Sequence, residues 1–194
     1  MKRICVFCGS SAGARREYAD AARGLAREVV RRNLGLVYGG GSVGLMGVLA
    51  DAALAEGGEV IGVIPRPLAS RELAHTGLSE LRVVDSMHER KATMASLVDG
   101  FVALPGGLGT FEETLEVLTW AQLGIHRKPV GVLNVRGYYD GLVAMLAHAT
   151  AEGFVRREYA ELLVAAERPA DLLDRFAVWQ PPTLPRPWLD SSQT

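Results

Sequence analysis

Seven short apolar runs, spaced along the chain with longer amphipathic stretches between them, constrain the fold more than any other feature. They are Ile4–Cys8, Gly35–Tyr38, Val60–Ile64, Leu81–Val84, Phe101–Leu104, Val130–Asn134 and Leu162–Val164. Apart from Arg82 and the terminal Asn134, the runs are apolar throughout rather than at alternate positions, which is the pattern of strands covered on both faces. The segments Tyr18–Arg32, Val43–Glu56, Ser86–Val98, Thr110–Leu123 and Tyr138–Glu152 carry helical periodicity. Strand alternating with helix predicts an α/β fold, a Rossmann-like doubly wound parallel sheet with helices on both faces.

The length of 194 residues suits one domain, able to bury roughly 70% of the surface its unfolded chain exposes. We expect a single nucleotide-binding catalytic domain over 1–179 and a Pro-rich tail over 180–194, where Pro181, Pro182, Pro185 and Pro187 precede Ser191 and Ser192. A formal charge of −1 argues against general nucleic-acid binding. The opening apolar stretch stops at Gly9, too short for a signal peptide, and nothing approaches the ~20 apolar residues of a membrane span. The expected location is therefore the cytoplasm. Cys5 and Cys8 form a C-x-x-C on a strand rather than at a helix start, so they read as two thiols rather than a redox pair or half of a zinc site. His75, His126 and His148 are scattered, read as surface or interface residues, and suggest no metal site.

In open parallel sheets, ligands bind beyond the carboxyl ends of the strands, so the chemistry is sought there. After the fifth run stands Pro105-Gly106-Gly107-Leu108-Gly109-Thr110-Phe111-Glu112-Glu113. Glycines leave backbone N–H groups open to an anion at a helix N-terminus. Thr110-x-x-Glu113 has the spacing of a capping box, but a cap leaves the three glycines unexplained. Either Glu112 or Glu113 then faces the ligand, since neighbouring helix positions differ by about 100°.

The second strand ends in Gly39-Gly40-Gly41-Ser42-Val43-Gly44-Leu45-Met46-Gly47, a further phosphate or ribose candidate, and the first in Gly9-Ser10-Ser11. Gly39, Gly41 and Gly44 match G-x-G-x-x-G, but the next strand ends at Ile64-Pro65, without the acidic residue that a dinucleotide ribose requires. No Gly-Lys-[Ser/Thr] occurs, which excludes a P-loop. After the fourth strand, Ser86 and Glu89 have the spacing of a capping box, and Arg90 and Lys91 stand early in the helix, against its dipole. An anionic ligand would offset that. Met87, Met94 and Trp120 fit helix core positions.

Met87-His88-Glu89-Arg90-Lys91 together with Pro105 to Glu113 resembles the signature pair of the Lonely Guy family, the cytokinin riboside 5′-monophosphate phosphoribohydrolases. The resemblance extends through Phe7–Ser11, Tyr38–Gly47 and Thr119–Pro129. It implies a Rossmann-like homodimer without cofactor or metal that splits the N-glycosidic bond of an adenosine 5′-monophosphate, N6-prenylated or plain, into base and ribose 5-phosphate. By resemblance Arg90 and Glu113 are catalytic. Substrate-binding positions are Ser10, Gly39, Gly40, Gly41, Gly44, Met46, Glu72, Arg90, Lys91, Gly106, Gly107, Leu108, Gly109, Thr110, Glu112 and Thr119, and the Gly124–Pro129 turn lies near a second subunit. A nonenzymatic nucleotide or cofactor carrier on the same fold is the alternative.

A lysine decarboxylase label, common in this family, fits poorly, because pyridoxal phosphate requires a Schiff-base lysine. Of the three lysines, Lys2 and Lys128 precede strands, on the far side of the sheet, and only Lys91 points toward the expected pocket.

Overall fold

The computed structural model describes residues 1–69 and 73–182. Seven parallel strands form one sheet in the order β4-β3-β2-β1-β5-β6-β7. These are β1 (Arg3–Phe7), β2 (Gly35–Tyr38), β3 (Val60–Pro65), β4 (Glu80–Val84), β5 (Gly100–Ala103), β6 (Val130–Leu133) and β7 (Leu163–Ala166). The expected seven runs are the seven strands, with ends moved by one or two residues. The helices are α1 (Arg16–Arg31), α2 (Gly44–Ala55), the single turn α3 (Arg66–Leu68), α4 (Met87–Ser96), α5 (Leu108–Leu123), α6 (Asp140–Ala151), α7 (Arg157–Ala160) and α8 (Pro169–Ala177).

Alternate side chains of a strand point to opposite faces, and here both faces are core. Ile4, Val6, Leu36 and Tyr38 pack with Leu25 and Val29 of α1, Leu45 and Leu49 of α2, and Leu172 and Phe176 of α8. Cys5, Phe7, Val37, Ile61 and Val63 join Met94 of α4 and Val117 of α5 on the other face. Cys5 within β1 and Cys8 just past its end fall on opposite faces, and both are free.

Two expectations change. The β4 run is an edge strand, with Leu81 and Val83 exposed; its apolarity does not mark double coverage. α8, to which the periodicity assigned no element, has only two turns and reveals its amphipathic face only when Leu172, Leu173 and Phe176 meet the sheet. Residues 183–194 of the expected tail lie outside the described residues. Trp179, just before the tail, packs on Ala121, Tyr159 and Leu162.

Strand order reverses between β1 and β5, which makes their carboxyl ends the switch point. The β1 loop and the Pro-Gly-Gly loop thus lie side by side. No helix among the described residues is long and apolar enough to cross a membrane.

Candidate functional site

The loops at the switch point are bonded to each other through their main chains. Gly9 N–H donates to Pro105 O at 3.1 Å, and Leu45 N–H, at the head of α2, donates to Gly9 O at 3.0 Å. Gly44 has φ +59°, and a Cβ there would stand 2.3 Å from the Ser10 carbonyl carbon. Its role is close approach between the first two loops. Gly40, at φ +75°, sits over Val63 and Ile64 in the same way. Neither borders the cavity that the loops enclose.

That cavity, about 420 Å³, is lined by Gly9 and Ser10 from the first loop, Gly39, Gly41, Val43 and Met46 from the second, and Gly107 to Thr110, Glu112 and Glu113 from the fifth. Its volume lies in the range of small-molecule sites. Arg90 closes one wall. The outer wall is apolar, built of Ile64, Leu68, Leu73 and Met87. Met87 is thus exposed at the cavity rather than in the core, whereas Met94 is buried as expected.

Ser86 caps α4, its hydroxyl accepting from Glu89 N–H at 3.1 Å, while Glu89 accepts from Asp85 N–H at 2.8 Å. The reciprocal bond thus goes to the residue before the cap rather than to Ser86 itself, and Arg90 follows one turn after the cap. The guanidinium donates through Nε to Val63 O at 3.1 Å and through Nη2 to Gly39 O at 3.4 Å. A Cβ on Gly39 would fall 2.1 Å from Nη2, so a larger residue there would push the guanidinium from this position. Arg90 Nη1 then stands 3.6 Å from Glu113 Oε1, with side chains only 12% and 11% exposed.

Burial pushes the Glu113 carboxyl above the ordinary carboxylate range; Arg90 and Lys91 pull it down, while Glu112 and Glu116 push it up. The outcome is a carboxylate less acidic than usual, held beside a permanent cation. Glu112, the other candidate, also borders the cavity but is half exposed and bonded to Lys91.

Lys91 does not border the cavity. Its Nζ donates to Glu112 Oε1 at 2.7 Å and Glu116 Oε1 at 2.9 Å, joining α4 to α5. The two cations early in α4 are therefore offset by three carboxylates of α5, within the protein itself. Thr119 lies farther along α5, exposed, its hydroxyl donating to Leu115 O. Glu72 lies outside the described residues.

α5 begins at Leu108, with Gly107 as N-cap and no side-chain cap among the described residues. Thr110 stands inside the helix, so the Thr110–Glu113 capping box does not form. Its buried hydroxyl lies against Gly106, where a Cβ would come 2.1 Å from Oγ1. The first helical N–H groups, of Leu108, Gly109 and Thr110, have no carbonyl of their own helix to bond. They give the cavity a positive pole.

A second hollow of about 280 Å³ adjoins across Gly9, Ser10 and Gly107 and is walled by Gly106, Tyr18 and Tyr138. Cys8 borders the main cavity with its thiol pushed up by burial, and hence protonated. Among the sites absent from the sequence reading are Cys8, the apolar wall and Tyr138. Tyr138 was assigned to helix; α6 in fact starts after it.

The histidines differ from expectation in part. His148 is exposed, but His126 is half-buried over the Phe101 ring, with Lys128 N–H donating to Nδ1 and Nε2–H donating to Val117 O. Burial lowers its pKa to about 4, which keeps it neutral. His75 is also tucked in, Nε2 bonded to Asp51 and Nδ1 accepting from Gly77 N–H.

A family model described as possible lysine decarboxylase matches residues 46–176. A Schiff-base cofactor does not fit this cavity, since no lysine lines it and Lys91 is bonded to two glutamates. A probable cytokinin riboside 5′-monophosphate phosphoribohydrolase of Oryza sativa subsp. japonica is 54% identical over 180 residues, covering 93% of this chain and 79% of that one. A cytokinin riboside 5′-monophosphate phosphoribohydrolase of Arabidopsis thaliana is 52% identical over 180 residues, covering 93% and 84%. Among solved structures, a molybdenum cofactor binding protein from Rippkaea orientalis superposes with a TM-score of 0.67 at 21% identity, covering 90% of this chain and 94% of that one. The molybdenum cofactor carrier protein of Chlamydomonas reinhardtii gives 0.66 at 22% identity, covering 89% and 98%. At such identities these two share the fold alone.

Proposed function

The chain belongs to the family of the cytokinin riboside 5′-monophosphate phosphoribohydrolases, and from that premise we propose that it hydrolyses the N-glycosidic bond of adenosine 5′-monophosphates, N6-prenylated or plain. Water adds to C1′, the bond to the base nitrogen breaks, and free base and ribose 5-phosphate leave. The observation that carries this reading is the buried Arg90–Glu113 pair bordering the same cavity as the uncapped start of α5. The N–H groups of that start suit a phosphate and the carboxylate a developing cation.

Cleavage of a glycosidic bond passes through an oxocarbenium-like state. In this reading Glu113 stabilises that charge and takes the proton of the attacking water, and a carboxyl raised above its usual range is a better base near neutrality. Arg90, fixed by two main-chain carbonyls, keeps Glu113 ionised and oriented and bears on the departing base. Gly107 to Thr110 receive the 5′-phosphate on their N–H groups. The apolar wall of Ile64, Leu68, Leu73 and Met87 suits an N6-prenyl group.

A homodimer is part of this reading. It is supported by the exposed Ile125 in the Gly124–Pro129 turn and by the exposed apolar Val143 and Met145 of α6. Light scattering should give the mass of two chains. Cytoplasmic residence belongs to the same reading, and the free thiols of Cys5 and Cys8 suit a reducing compartment.

The decisive experiment is chromatography of the base released from N6-isopentenyladenosine 5′-monophosphate and AMP, with the two nucleosides as controls. Release from the monophosphates alone is expected. Binding without release from any of them would overturn the enzymatic reading in favour of a carrier.

A further inference from the structure

Three successive carbonyls of the Pro-Gly-Gly loop are each held from outside the loop. Leu104 O accepts from Tyr139 Oη at 2.7 Å, Pro105 O accepts from Gly9 N–H at 3.1 Å, and Gly106 O accepts from Tyr138 Oη. The last of these matters most. A peptide unit is planar and trans, so its C=O and the following N–H point in opposite directions. Whatever holds Gly106 O therefore also aims the N–H of Gly107, the residue at the head of α5 that borders both cavities. Flanked by glycines, this peptide has little steric bar to rotation, and something must fix it.

Tyr138 is built to do so. It follows a 3-10 turn, Val135–Gly137, in which Arg136 has φ +55° and Gly137 φ +72°. A left-handed arginine costs energy and persists where the surroundings impose it, often at functional sites. Here Asn134 braces the turn, its side chain accepting from Tyr139 N–H at 2.7 Å and donating to Asp140 Oδ1 at 2.7 Å. The Tyr138 ring then stacks on Phe111 at 6.2 Å and meets Tyr18 edge-on at 5.7 Å. Three elements thus fix one hydroxyl over one carbonyl.

We propose that Tyr138 is the positioning residue of the phosphate cradle, its hydroxyl holding the Gly106–Gly107 peptide so that the Gly107 N–H faces the 5′-phosphate. This rests on the assignment of the phosphate to the head of α5. Tyr139 provides the contrast, since its buried hydroxyl holds Leu104 O, just past the end of β5, rather than the Gly106–Gly107 peptide.

The test compares Tyr138→Phe and Tyr139→Phe with the parent in three measurements: calorimetric affinity for ribose 5-phosphate, calorimetric affinity for adenosine, and KM and kcat for AMP. In Tyr138→Phe, which keeps the ring, ribose 5-phosphate binding should weaken about five- to tenfold, as for one lost hydrogen bond. KM should rise by the same factor, with adenosine affinity and kcat within about twofold. Tyr139→Phe should lower the melting temperature and leave ribose 5-phosphate affinity unchanged. Unchanged ribose 5-phosphate affinity in Tyr138→Phe, parallel loss of adenosine binding, an equal loss in Tyr139→Phe, or failure of Tyr138→Phe to fold would each overturn the proposal. A parent protein that binds ribose 5-phosphate but releases no base would overturn the hydrolase reading instead, leaving the binding contrast to decide on Tyr138.

Discussion

The two edges of the sheet carry hollows of similar size and opposite character. At the amino ends of the strands lie two, of about 440 and 490 Å³, against about 420 Å³ at the carboxyl ends. Volume does not separate them; the state of their polar groups does. At the amino edge Arg3 pairs with Glu59 at 2.8 Å in partly exposed positions, Asp99 accepts from the Lys2 and Arg3 N–H groups, and Arg32 pairs with Glu28 and Asp174. Even the carbonyl of Ala95, in the last turn of α4, accepts from Lys128 Nζ at 2.7 Å. The protein has met these needs with its own side chains.

At the carboxyl edge helices begin, α5 starts on Gly107 without a capping side chain, and the ion pair is buried. A parallel sheet with returning helices brings helix C-termini to one edge and N-termini to the other. Only the second presents free N–H groups to an anion. A site is recognised by what it leaves unsatisfied rather than by its size.

The largest effect that could break this contrast is at Glu113. Glu113→Gln should lower kcat/KM for AMP by about 10³-fold, as for loss of a general base, while nucleotide binding by calorimetry persists; near-normal turnover would remove Glu113 from the mechanism. Next comes Arg90→Met, expected to lower kcat/KM about 10²-fold. The pH profile gives the sign. The ionised form of Glu113 is active and burial has raised its pKa, so kcat/KM should fall as pH drops through a value above the ordinary carboxylate range. Removing the Arg90 charge raises that pKa further and should move the acid limb to higher pH.

Glycines sharpen the comparison. A Cβ on Gly106 would meet Thr110 Oγ1 at 2.1 Å and the Gly9 main-chain nitrogen at 2.8 Å, whereas one on Gly35 at the amino edge meets only side chains, the Glu59 carboxylate at 2.4 Å and Arg3 Cγ at 2.9 Å. Gly106→Ala should destabilise by about 1–3 kcal/mol in denaturant titration and raise KM; Gly35→Ala should cost under about 1 kcal/mol and leave KM unchanged. Smaller still, Leu68→Ala on the apolar wall should reduce the preference for N6-isopentenyladenosine 5′-monophosphate over AMP by about three- to tenfold in kcat/KM ratios. Smallest is Glu59→Gln, which should change the free energy of unfolding in denaturant titration by less than about 1 kcal/mol and turnover not at all.

The site was legible in the sequence to uneven depth. Arg90, Glu113 and the Gly107–Thr110 turn line one cavity, as the strand-end reading and the family resemblance had them. Gly40 and Gly44 were drawn in by the same glycine pattern, yet they serve loop packing, because a missing Cβ fits a close backbone approach as well as a phosphate. Lys91 and Thr119 stand off the cavity wall, Lys91 held by carboxylates one turn apart on another helix. Such a pairing has no signature along the chain.

By itself the sequence determined the strands, the parallel class and the two motifs at their ends, because burial on both faces and glycine turns leave local patterns that a linear reading detects. Tertiary structure alone decided that β4 is an edge, that Leu68, Leu73 and Met87 share one apolar wall, and that Tyr138 holds Gly106. Those facts depend on distances between segments tens of residues apart, and they are fixed only when the sheet order reverses between β1 and β5 and brings the loops together.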